Sequence, residues 1–171
     1  SAGVATLESS QLQRRRAEGK LKNLEARLRA SPLEGHVGIG HTRWATHGKP
    51  TENNAHPHAG ERVAVVHNGI IENHESIRDE LKANGYTCVS ETDSEVIAHL
   101  IAEKRRKGAN LFEAVKDSVR DLRGAYAIAV LDETTPGKIV VARHGAPLLL
   151  GVGENENFAA SDAQALVQVT S

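Results

Sequence analysis

The first apolar stretch, Gly3–Leu7, is short, and a polar alternation over Gln11–Arg16 follows it. Together they predict two strands. From Lys20 to Leu28 the apolar residues Leu21, Leu24 and Leu28 recur at helical spacing, after which Pro32 and Gly35 punctuate the chain. Val37–Trp44 reads as a strand, and Thr46–Gly60, rich in Gly, Pro, Asn and His, as a long loop. Within Arg62–His67, Val63, Ala64, Val65 and Val66 form the unbroken apolar run of a strand buried on both faces. His67-Asn68-Gly69 then reads as a turn.

A helix is predicted over His74–Asn84, stopped by Gly85. Thr92-Asp93-Ser94-Glu95 has the form of a capping box, with Thr92 as cap and Glu95 reaching back. The helix it opens carries Val96, Ile97, Leu100 and Ile101 on one face. Leu111–Leu122 does the same with Leu111, Phe112, Val115, Val119 and Leu122. The period then shortens. Ala125–Leu131, Lys138–Ala142 and Leu148–Val152 are strand runs separated by Pro136-Gly137 and Gly145-Ala146-Pro147. Strands, then paired helices, then strands imply sheets and helices stacked in layers.

A length of 171 residues suits one domain, 1–171, with a core that needs no disulfide or metal staple. Apolar residues at 39% and charged residues at 25% describe an ordinary globular chain rather than a disordered one. The balance of 21 basic against 22 acidic side chains leaves no electrostatic footprint for nucleic acid or an anionic membrane. The runs Arg14–Arg16 and Lys104–Lys107 read as solvated segments. A single cysteine, Cys88, forbids an intrachain disulfide and fits a reducing compartment. With no apolar stretch of about 20 residues and no signal peptide, a cytoplasmic location is expected.

Seven of the nine histidines fall between His36 and His74, in the same stretch as the longest loop, where binding groups concentrate. Arg43 presents a planar fork of donors suited to a carboxylate, and Thr46 adds a hydroxyl beside it. Asn68 offers an amide NH2, and Gly69 lets its backbone N–H approach a ligand unobstructed. Such a pair stabilises the oxyanion formed when a nucleophile attacks an amide carbonyl. Asp93, on the first turn of a helix, suits an ammonium group. These groups together describe a site for a free amino acid with an amide side chain. Singly, each has a plainer reading: Arg43 pairing with a surface acid, Asp93 complementing a helix N-terminus, Asn68-Gly69 turning a hairpin. Spacing alone leaves both open.

The blocks His41–Gly48, Asn54-Ala55-His56-Pro57-His58 and His67–Asn73 resemble, almost letter for letter, the class II glutamine amidotransferases. Trp44, His47 and Ile70-Ile71-Glu72-Asn73 are similar to the glucosamine-6-phosphate synthase branch, whereas the phosphoribosyl-pyrophosphate branch shares only His-Thr-Arg and His-Asn-Gly. The resemblance implies an α+β fold, the four-layer αββα sandwich of the N-terminal-nucleophile hydrolases, incomplete here at both ends. It implies L-glutamine as substrate, held at its carboxylate by Arg43, Thr46 and His47 and at its amine by Asp93, with help from Gly69. Asn68 and Gly69 would form the oxyanion hole, and Trp44 would gate an ammonia path. Neither metal nor organic cofactor is implied. The implied partners are sugar-phosphate isomerase domains of the same parent chain, itself a homo-oligomer.

The family's nucleophile is an N-terminal cysteine whose α-amino group serves as base. Ser1 aligns with an interior position of that pattern, and Cys88 reads as a buried, inert thiol. The segment 1–171 is therefore expected to bind glutamine weakly if at all and not to hydrolyse it. Three other readings stay open: another class II branch, a non-catalytic glutamine-binding module, and a metal site built on His41 to His58. The last lacks a Cys pair or a His-Glu-x-x-His helix.

Overall fold

The computed structural model describes residues 1–43, 49 and 51–169, and its layering follows from alternation along the strands. β1 (Ala2–Glu8) and β2 (Gln11–Ala17) form an antiparallel hairpin. Ser9 and Ser10 turn it with φ of 49° and 64°, the left-handed backbone that a tight two-residue hairpin demands. β3 (Val37–Thr42) pairs with the other side of β1, giving the order β2-β1-β3. Ala2 and Val4 face outward, where α1 (Leu21–Ala30) covers them with Leu24 and Leu28. Ala5 and Leu7, on the opposite face by the period of two, look inward with Ile39.

The second sheet has the order β4-β5-β6-β7, all antiparallel: His58–Ala59, Val63–Ile71, Gly124–Asp132 and Val140–His144. Ala64, Val66, Ala129 and Leu131 meet the inward face of the first sheet. Val63, Val65, Tyr126, Ile128 and Val130 face the helices α2 (His74–Ala83), α3 (Ser94–Arg106) and α4 (Leu111–Arg120). Helix, sheet, sheet, helices: the four-layer α+β sandwich is the observed architecture. A separate hairpin, β8 (Leu149–Val152) with β9 (Asn157–Ala160), follows β7. The sequence pattern had no signal for β9.

α3 is enclosed on most sides, with Val96, Ile97, Ala98 and Ile101 fully buried, and one ion pair ties its end to the sheet. Arg105 Nε donates to Asp132 Oδ2 at 2.6 Å, and its other nitrogens reach the Ala109 carbonyl and Thr134 Oγ1. Asp132 is wholly buried. Breaking such a pair from one side leaves an uncompensated charge, at a cost of roughly 3–5 kcal/mol. Arg105→Ala is expected to lower the unfolding free energy by about that amount, read from urea midpoints; a loss under about 1 kcal/mol would show the pair to be dispensable.

Several expectations are corrected by packing. His67-Asn68-Gly69 is not a turn: β5 runs on to Ile71, with Asn68 opposite Ala127 and Gly69 opposite Tyr126. A type I′ turn, the form that Asn-Gly favours, needs φ > 0 at both central residues. Here Gly69 has it, at 111°, and Asn68 does not. Arg14 and Arg16 are half-buried rather than solvated, donating to the carbonyls of Pro57, Asn53 and Ala55. Burial is the main reason that Arg16 is pulled down to about 10. In the Lys104–Lys107 run, Arg105 is likewise enclosed. Phe112 is 62% exposed because it lies on the outer margin of the face that Leu111 and Val115 bury. Thr92 Oγ1 does accept from Glu95 N at 3.3 Å. The Glu95 carboxylate, however, reaches past Thr92 to the amides of Val89 and Ser90, at 2.9 and 2.6 Å.

Candidate functional site

The site forms where the two sheets and α3 meet. On β3, Ile39 faces the inter-sheet core, so the same alternation sends His41, and Arg43 just past the strand end, toward the second sheet. On β5, Ala64 and Val66 face the first sheet, which brings Asn68 round to meet His41. His41 Nε2 and Asn68 Oδ1 lie 2.6 Å apart. His67, of opposite parity on β5, turns to α3, where its Nδ1 lies 2.7 Å from Ser94 Oγ. Asp93 sits at the start of α3, buried, with Oδ2 accepting from Ile71 N at 2.8 Å.

Arg43, Asn68, Gly69 and Asp93 line one cavity of about 160 Å³, together with His41, His56 and Ser94. That is well below the roughly 300–1,000 Å³ of sites for drug-sized ligands, a scale suited to a single amino acid. Cationic and anionic groups face the same small space. Burial pulls the Arg43 guanidinium below its ordinary value, and Asp93 is the acid that most opposes this; arginine stays protonated even so. Asn68 and His41 also wall a larger cavity of about 430 Å³ between the sheets. At Gly69 an added Cβ would strike the carbonyl oxygen of Ala125, so the φ of 111° and the missing side chain are both required there. Trp44, Thr46 and His47 lie outside the described residues.

One wall of this cavity belongs to a cluster of histidines that extends back to His58. The rings of His41 and His56 stack with centroids 4.0 Å apart, and His58 lies edge-on to His56 at 4.7 Å. His56 Nδ1 accepts from His67 N at 3.2 Å, which requires that nitrogen to be unprotonated. Burial pushes His41 down, His56 well down, and His58 to about 3, the last against the pull of Glu95. A neutral His41 with its proton on Nε2 donates to Asn68 Oδ1, and the amide is then turned so that Nδ2 remains as the donor. The sequence motifs contained His41, His56 and Ser94 without assigning them a part in the amino-acid site. The parity of Ile39, His41 and Arg43 is the signal that would have added His41.

Residues 41–168 match the family described as glutamine amidotransferase domain. The chain is 58% identical over its full length to a glutamine–fructose-6-phosphate aminotransferase (isomerizing) from Rhizobium meliloti. Over 97% of its length it is 57% identical to a protein of that name from Bradyrhizobium diazoefficiens. It spans 28% and 27% of those relatives' own lengths. Among solved structures, glutamine phosphoribosylpyrophosphate amidotransferase from B. subtilis superposes with a TM-score of 0.83 at 28% identity, over 99% of this chain and 37% of that one. Among the described residues no helix is long and apolar enough to cross a membrane.

Proposed function

Since this chain belongs to the glutamine amidotransferase domain family, we propose that its small cavity is the L-glutamine site of a longer parent, which supplies the cysteine that attacks the side-chain amide. In that reading the ammonia passes to fructose 6-phosphate in the same parent, which also carries sugar-phosphate isomerase domains. The observation that carries the reading is the meeting of Arg43, Asn68 and Asp93, from three separate elements, around one cavity of about 160 Å³. Arg43 holds the α-carboxylate, assisted by Thr46 and His47. Asp93, fixed by Ile71 N, holds the α-amine with the Gly69 backbone. The Asn68 amide and Gly69 N–H receive the oxyanion as the carbonyl carbon becomes tetrahedral. Ammonia then leaves along a path gated by Trp44, and water releases glutamate from the thioester.

The nucleophile that the resemblance implies, an N-terminal cysteine, would reach the amide carbon from the larger cavity on the other side of Asn68. Cys88 lines neither cavity and has no part in this step. The parent acts in the cytoplasm as a homo-oligomer, with no nucleic acid or membrane partner.

The alternative acceptor, phosphoribosyl pyrophosphate, has the fold likeness on its side, but identity there is 28% against 58% for the hexosamine enzymes. Supplying the full-length protein with glutamine and each acceptor decides between them. Glucosamine 6-phosphate is the expected product; transfer to phosphoribosyl pyrophosphate alone would overturn the branch. In the same assay Arg43→Ala is expected to raise KM for glutamine by about 10²-fold, near 2.7 kcal/mol for a lost charge-assisted contact, with kcat little changed. An unchanged KM would remove Arg43 from the site.

A further inference from the structure

We propose that Cys88, Glu95 and His99 form a binding site for a divalent cation of the zinc class, separate from the glutamine cavity. A thiol sulfur, a carboxylate oxygen and an imidazole nitrogen from these residues all lie within 4.8 Å of one another. None of the three lines the cavity that holds Asp93.

Two of the ligands are preset by helix geometry. Glu95 and His99 are four apart on α3 and therefore share a face, with Oε2 and Nε2 2.9 Å apart. The third is brought to them by the backbone. The amides of Val89 and Ser90, directly after Cys88, both donate to the Glu95 carboxylate. These hydrogen bonds are the outer support that orients a metal-binding carboxylate.

A tetrahedral zinc with bonds of about 2.0–2.3 Å spaces its ligands roughly 3.3–3.6 Å apart. Glu95 and His99 need to part by only a few tenths of an ångström. Cys88 is half-buried, and its sulfur must shift to close the remaining gap. The next residue, Val89, is 69% exposed, which leaves a path in from solvent.

The donor set is one sulfur, one nitrogen and one oxygen, with the fourth position left for water. That mixture suits zinc or cadmium rather than magnesium or calcium. On binding, the Cys88 S–H bond breaks, its proton goes to solvent and the sulfur pair forms the metal bond. His99 Nε2 gives up the proton it donates to Glu95, the ring takes one from solvent at Nδ1, and the neutral imidazole coordinates through Nε2 in place of that hydrogen bond. Thiolate and carboxylate together neutralise the ion. Burial, and the Glu95 carboxylate beside it, hold the Cys88 thiol up, and Arg78, which donates to the Thr92 carbonyl at 2.7 Å and lies against the sulfur, offsets part of that. Occupancy would pin the segment 88–93, and with it the approach to Asp93, onto α3.

The test is to treat the full-length protein with chelator and titrate it with Zn²⁺ and Cd²⁺, beside Cys88→Ala and His99→Gln. Wild type is expected to take up one more equivalent than either variant, or to bind it at least roughly tenfold more tightly. Its thiolate-to-cadmium ultraviolet band should exceed that of Cys88→Ala by one thiolate ligand, and it should melt at a higher temperature with zinc present. Metal-free melts establish that both variants fold. If either does not, the wild-type band and melting shift decide alone, and their absence overturns the site. Equal uptake by wild type and folded variants overturns it too, and assigns the metal to other ligands.

Discussion

Asn68→Ala is expected to lower kcat for glutamine hydrolysis by roughly 10²–10³-fold while KM moves only a few-fold. The reasoning starts at the 2.6 Å contact between His41 Nε2 and Asn68 Oδ1. With its oxygen occupied, the amide presents Nδ2, and a rigid central strand holds it in place. A donor fixed in this way gains most when the carbonyl oxygen becomes an anion, so its loss is felt in the transition state and hardly in the ground state. The expected loss corresponds to roughly 2.7–4 kcal/mol of barrier. Steady-state kinetics on the folded variant are the check. A large rise in KM with kcat preserved would make Asn68 a substrate-binding residue and remove the oxyanion assignment. His41→Ala should reproduce part of the kcat loss, because it frees the amide to rotate.

Stability is expected to fall steeply as pH drops below about 6.5, the ordinary histidine value. His41, His56 and His58 are all held below that value by burial, His58 at about 3. Between about 3 and 6.5 the unfolded chain therefore binds more protons than the folded one, and unfolding free energy decreases as pH falls. Each histidine kept fully neutral contributes about 1.4 kcal/mol per pH unit in that window. Two such residues remove about 3 kcal/mol between pH 6.5 and 5, a large share of the roughly 5–15 kcal/mol typical of a domain. Above pH 7 their contribution is fully present.

Glu95 extends the effect to lower pH. Burial pushes its carboxyl up, but hydrogen bonds from His99, Ser90 and Val89 outweigh that and bring it down to about 2. Its share is present above the ordinary carboxylate range and is lost as pH falls toward 2. Urea midpoints measured from pH 8 to 5 are the test. A flat profile would mean that the histidine layer opens to water or protonates without strain.

The histidines also show where a sequence reading stops. Their clustering marked the region, and the residue types at 43, 68 and 93 suggested an amino-acid site. Nothing in their order shows that His56 stacks on His41 at 4.0 Å, or that the layer is neutral. Burial depends on what packs above and below, and those neighbours come from β3, β5 and α3. Arg14–Arg16 makes the same point in reverse. As a run of like charges it reads as solvent-facing, yet two of its three side chains fasten the loop at 53–57. The strand alternation that puts them on one face was visible. The loop waiting on that face was not.

Local periodicity was enough to determined most elements of this protein, because a face buried once per turn or every second residue leaves its spacing in the chain. It also determined the chemical inventory of the site. Tertiary structure alone decided that Asn68-Gly69 continues a central strand, that Glu95 anchors the segment before its helix, and that Cys88 arrives beside His99. Those outcomes rest on hydrogen bonds and packing that periodicity does not encode, where the energy of a partner outweighs the weaker preference of a dipeptide or a cap.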